Sequence, residues 1–63
     1  MFVVYIEMPL GNRSFPHEFL EEAPARKLFD SFVAQIRTWK GYKAAVVLDG
    51  DGKIEKVELP DAS

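Results

Sequence analysis

Between Pro24 and Lys40 the apolar residues Ala25, Leu28, Phe29, Phe32, Val33, Ile36 and Trp39 recur at the three- and four-residue steps of an amphipathic helix. At roughly 100° per residue they occupy an arc of about 140°, and Lys27, Asp30, Ser31, Ala34, Arg37 and Thr38 face the other way. The flanks agree with the middle. Pro24 suits the first turn, where its missing N–H would be unbonded in any case, and Glu21 and Glu22 put negative charge at the positive end of the helix dipole. Arg37 and Lys40 sit at the negative end, and Gly41 is suited to a left-handed stop. Elsewhere in the 63 residues no second stretch carries this helical spacing. The remaining residues must build the surface that its apolar stripe covers.

On either side of that helix the chain reads as strands. Phe2, Val4, Ile6 and Met8 alternate with Val3, Tyr5 and Glu7, and Pro9 ends the run. Leu10-Gly11-Asn12-Arg13 reads as a turn, with Gly11 and Asn12 supplying the positive φ values of a tight hairpin. That turn would pair Met8 with Phe15, Ile6 with His17 and Val4 with Phe19, all on the face under the helix. Ser14 to Leu20 is therefore expected as a strand, and Pro16, which lacks a ladder donor, puts it at a sheet edge. Tyr42 to Asp49 reads as a strand, Asp49-Gly50-Asp51-Gly52 as a turn, and Lys53 to Leu59 as the returning strand. The parity change between Ile54 and the pair Val57, Leu59 predicts a bulge near Lys56. The expected fold is α+β: one domain over residues 1–63, ordered β-β-α-β-β, with the helix on one face of a mainly antiparallel sheet. Were Ser14 to Leu20 a loop instead, the order would reduce to β-α-β-β on three strands.

With only one helix, the second face of the sheet must meet water or a partner. The alternation puts Val3, Tyr5 and Glu7 there, beside Ala45 and Val47 of the third strand. Val3, Tyr5, Ala45 and Val47 together would form an apolar patch of a size associated with protein contacts. The plainer reading is a set of exposed β-forming residues with no further role.

Composition removes several function classes. No cysteine is present, which excludes disulfides and thiolate metal sites, and a cytoplasmic setting is the natural expectation. A net charge of −2 argues against a general polyanion binder. The longest apolar run, Met1 to Ile6, is far short of a membrane span, and it lacks the basic start of a signal peptide.

Three local patterns resemble functional motifs, and each has a plainer explanation. Asp49-Gly50-Asp51-Gly52-Lys53-Ile54-Glu55, with Glu58 beyond, matches part of a calcium-binding loop. Its first ligand position is Val47, however, and a hairpin turn accounts for the same residues without a metal. His17 with Ser14 and Asp30 or Glu18 lacks the glycine-rich turn of a nucleophile elbow, and packing at the rim of the core explains it. Trp39 and Tyr42 interleave with Arg37, Lys40 and Lys43, the mixture of stacking surface and charge that single-stranded nucleic acid requires. A helix stripe, a strand start and the helix dipole explain that cluster equally well. Arg26 and Asp30, four residues apart, read as a solvated pair.

No phosphate-cradling glycine loop occurs, and one helix on a small sheet suggests no cleft, so no enzyme, cofactor, metal or small-molecule substrate is expected. In length and order of elements the chain resembles small accessory proteins, among them those of phages and mobile elements that bind a host protein. The expected function is a non-catalytic protein-interaction module, either a homodimer or the ligand of a larger protein, using Val3, Tyr5, Glu7, Ala45 and Val47. Weak single-stranded nucleic-acid binding through Arg37, Trp39, Lys40, Tyr42 and Lys43 is the alternative.

Overall fold

The computed structural model describes residues 1–39 and 43–59. The elements are β1 (Phe2–Glu7), β2 (Arg13–Phe19), α1 (Glu22–Ile36), β3 (Ala44–Gly50) and β4 (Lys53–Leu59). Every pairing is antiparallel and the strand order is β2-β1-β3-β4. Two hairpins, β1–β2 and β3–β4, are thus joined along β1 and β3. The helix carries the chain back from the end of β2 to the start of β3, and β1 lies between those two strands. The α+β fold and the β-β-α-β-β order are as the periodicities predict.

The helix covers the sheet with the residues expected of it. Ala25, Phe29 and Ile36 are buried, and Leu28, Phe32 and Val33 pack at the margin of the core. Beneath them lie Val4, Ile6, Ala44, Val46, Leu48 and Leu59, with Phe2, Met8, Phe19 and Val57 partly covered. Arg26 ties the helix to β4: its guanidinium donates to Glu55 Oε1 at 2.7 Å and Oε2 at 2.9 Å, and to Glu22 at 3.2 Å. The expected Arg26–Asp30 pair gives way to these contacts, because β4 brings Glu55 within bidentate reach. The hydrogen bonds to Arg26 hold the Glu55 carboxyl below its ordinary range.

The helix ends earlier than its periodicity suggests. It runs from Glu22 to Ile36, and Pro24 sits inside its first turn. Beyond Ile36 the chain tightens: Thr38 N–H donates to Gln35 C=O at 3.1 Å and Trp39 N–H to Ile36 C=O at 2.9 Å. The Thr38 hydroxyl takes the same Gln35 carbonyl at 2.7 Å, a local side-chain bond that favours termination. Trp39 therefore lies beyond the helix rather than on its stripe, and Arg37 is the C-cap, with no basic residue in the last helical turn. Lys40, Gly41 and Tyr42, expected as helix end, stop and strand start, lie outside the described residues.

The first hairpin exists, but its register differs from expectation. Gly11 N–H donates to Met8 C=O at 2.8 Å and Met8 N–H to Asn12 C=O at 2.9 Å, closing a three-residue loop of Pro9, Leu10 and Gly11. Pro9 serves the turn instead of merely ending the strand, and of the two residues proposed for positive φ only Gly11, at φ 88°, adopts it. Ile6 then faces Ser14, Val4 faces His17 and Phe2 faces Phe19. A register shift between Val4 and Ile6 leaves Phe15 and Pro16 together opposite Tyr5. This bulge keeps His17 and Phe19 on the helix face; without it the three-residue turn would send both to the other side. Phe15 bears the distortion, with φ at 53°.

The second hairpin turns at Asp51 and Gly52, with φ of 50° and 81°, the two positive values of a type I′ turn. Pairing runs unbroken from Gly50–Lys53 to Ala44–Leu59. The bulge expected near Lys56 is therefore absent. Val57 and Leu59 face the helix, Ile54 faces away, and the parity change reflects an isoleucine on the outer face.

Candidate functional site: the uncovered sheet face

The register resolves the face opposite the helix into three rows across the strands. One runs Arg13, Glu7, Ala45, Glu58. The next runs from Phe15 and Pro16 through Tyr5 and Val47 to Lys56, and the last is Glu18, Val3, Asp49, Ile54. All five residues assigned to this face from sequence, Val3, Tyr5, Glu7, Ala45 and Val47, are brought together on it.

Their exposure is not what the sequence suggests. Val47 keeps 1% of its surface and Tyr5 and Ala45 keep 5% each, although no helix among the described residues covers this face. Polar side chains close the centre. The Arg13 guanidinium carbon sits 4.6 Å from the centroid of the Tyr5 ring, within cation–π range. Lys56 Nζ donates to Glu7 Oε1 at 2.8 Å. Glu7 is on β1 and Lys56 on β4, so this pair spans β3 and its aliphatic stems lie over Ala45 and Val47. The hydrogen bond to Glu7 raises the Lys56 pKa above the ordinary lysine range, and its Coulombic attraction adds to the rise. Tyr5, Ala45 and Val47 are thus the floor of the face and not its contact surface, and the expected apolar patch is corrected to that extent.

The exposed apolar groups lie at the margins. Phe15, on the β2 side, is 63% exposed, and Ile54, on the β4 side, is 66% exposed. Sequence reasoning missed both roles. The alternation alone places Phe15 on the helix face, since its displacement depends on the bulge, and it reads Ile54 as part of a bulge that does not form. The signal for Ile54 was nonetheless present: strict alternation from Leu59 and Val57 puts it outward.

Other proposed sites are dispersed. Ser14 faces Ile6 and His17 faces Val4, and the His17 ring lies 6.1 Å from Phe32, a packing contact at the core rim. Asp51 forms the type I′ turn and lies 3.5 Å from the N-terminal ammonium. Among the described residues no three His, Cys, Asp or Glu side chains gather as metal ligands would. Of the basic and aromatic cluster, Arg37 and Trp39 follow the helix and Lys43 precedes β3, while Lys40 and Tyr42 lie outside the described residues. A concavity that the sequence did not suggest opens at the end of the sheet, about 670 Å³ in volume, with Met8, Ala44 and Leu59 on its apolar side and Lys43 and Glu58 among its charged groups. No helix among the described residues is long and apolar enough to cross a membrane. No family model, curated protein or solved structure matches the chain.

Proposed function

We propose that this protein is a non-catalytic protein-interaction module that docks a partner protein on the sheet face opposite the helix. The observation that carries the reading is Phe15: a bulky residue held at φ 53° and left largely in water. A left-handed conformation costs an L-residue roughly 1–2 kcal/mol, and strained residues gather where a side chain is being positioned for use. Aromatic residues, Phe among them, are enriched at the centre of protein interfaces, inside a polar rim. Here Arg13, Glu18, Glu7, Lys56, Asp49 and Glu58 supply a polar surround between Phe15 and Ile54. The polar caps over Tyr5 and Val47 keep the face soluble when it is empty and offer charged groups to a partner when it is filled.

The test is the double variant Phe15→Ser with Ile54→Ser. Both side chains are mostly exposed, so circular dichroism and the urea midpoint should stay close to wild type. Retention of the partner protein from extract is expected to fall at least tenfold, whereas Asp30→Ala with Ala34→Ser on the helix surface leaves it unchanged. Equal retention by both double variants would overturn the assignment.

A further inference from the structure

The two outer edges of the sheet are not alike. β2 is poorly suited to receive another strand: Pro16 has no N–H, and the bulge at Phe15 and Pro16 breaks its line. β4 has neither defect. Its seven residues, Lys53–Leu59, pair with β3 without interruption, and no strand lies on its outer side among the described residues. Counting from the two-residue turn, whose flanking pair Gly50–Lys53 is the hydrogen-bonded kind, the backbone groups of Ile54, Lys56 and Glu58 point away from β3.

The side chains on this edge select a partner. From these features we infer that β4 pairs antiparallel with β4 of a second copy, about a two-fold axis through Val57, joining the two sheets into one of eight strands. With helices on the same side, residues facing each other must share a face, so the axis passes through a residue and not between two. An axis at Lys56 sets Lys56 against itself, and axes at Glu55 or Glu58 oppose like carboxylates. Axes at Lys53, Ile54 or Leu59 lie at the ends of β4 and pair too few of its residues. At Val57 the pairs are Val57 with Val57 and, twice, Glu55 with Leu59 on the helix side, and Lys56 with Glu58, twice, on the uncovered side. The two Lys56–Glu58 pairs use the residues whose backbone groups point outward, so charge complementarity and main-chain hydrogen bonding coincide in one register. The helix contacts β4 only lightly and lies mainly over β1 and β3, which leaves room for the second copy's helix. This pairing does not depend on the partner reading above: it leaves both uncovered faces free, side by side in one surface.

Five paired residues bury less than a tight dimer needs, so association is expected only at about 0.1–1 mM chain. The experiment is sedimentation equilibrium at those concentrations on wild type, on Glu58→Lys, on Lys56→Glu, and on an equimolar mixture of the two variants. Each variant alone opposes two like-charged pairs and is expected to associate about tenfold more weakly or worse. The mixture restores both Lys–Glu pairs and is expected to dimerise as wild type does. A monomeric wild type, variants that dimerise alone, or a mixture that stays monomeric would each overturn the proposal. Circular dichroism checks that the variants fold. If either does not, amide exchange on wild type decides: protection at Lys56 and Glu58 that rises with concentration supports the pairing, and protection that does not change overturns it.

Discussion

Replacing Phe15 in parallel by alanine and by glycine isolates the backbone strain from the loss of the ring. Both substitutions remove the same aromatic contacts, so the difference between them reads the conformation at φ 53°. At an ordinary strand position glycine is the less stable of the two by roughly 0.5–1 kcal/mol, because it loses more freedom on folding. In the left-handed region alanine carries about 1–2 kcal/mol of steric cost that glycine escapes. The order should therefore invert, with the glycine variant more stable by about 0.5–1 kcal/mol. In a domain of this size that corresponds to about 4–8 °C in melting temperature. Urea and thermal unfolding, followed by Trp39 fluorescence and far-ultraviolet circular dichroism, will read it. An alanine variant as stable as the glycine variant, or more so, would refute the strained conformation and with it the observation on which the proposed function rests.

Three further substitutions probe the scaffold. A β-carbon at Gly50 would overlap the Phe2 ring, so Gly50→Ala should cost about 1–3 kcal/mol, and Phe2→Ala should recover part of that loss in the double variant; additive urea midpoints would contradict the contact. Phe29→Ala removes a large side chain from a small core and should cost about 3–5 kcal/mol, enough to leave the chain largely unfolded at 37 °C by circular dichroism. Arg26 holds the Glu55 carboxyl below its ordinary range, so the stability this pair contributes is present above pH 4.5 and disappears as pH falls through the depressed value. The gap in urea midpoint between wild type and Arg26→Gln should accordingly narrow from pH 7 to pH 3, and a gap that stayed constant would show that the ion pair does not hold the helix to β4.

The helix and the second hairpin are legible in the residues because their signals are local. Phe29, Phe32 and Ile36 repeat at helical spacing, and Asp51-Gly52 between two apolar runs admits few conformations besides a type I′ turn. The register of the first hairpin is not local in this sense. Pro9 could end a strand or begin a turn, and the bulge that rescues the facing of His17 and Phe19 is a response to the helix above them. Closure of the uncovered face is more remote still. Arg13 meets Tyr5 across a pairing, and Glu7 reaches Lys56 over an intervening strand, so both contacts require the strand order before they can be read. The same order, once known, moves the exposed apolar groups from Tyr5, Ala45 and Val47 to Phe15 and Ile54, while Val3 stays half-buried.

Site-specific photocrosslinking offers the most direct view of which side of the molecule meets another protein. A photoreactive residue placed in turn at positions 15, 54, 30 and 34 would sample the two margins of the uncovered face and the solvent side of the helix. Adducts of one common mass from positions 15 and 54, with none from 30 and 34, are the expected result. Adducts from the helix positions alone, or no adduct from either margin, would contradict the account.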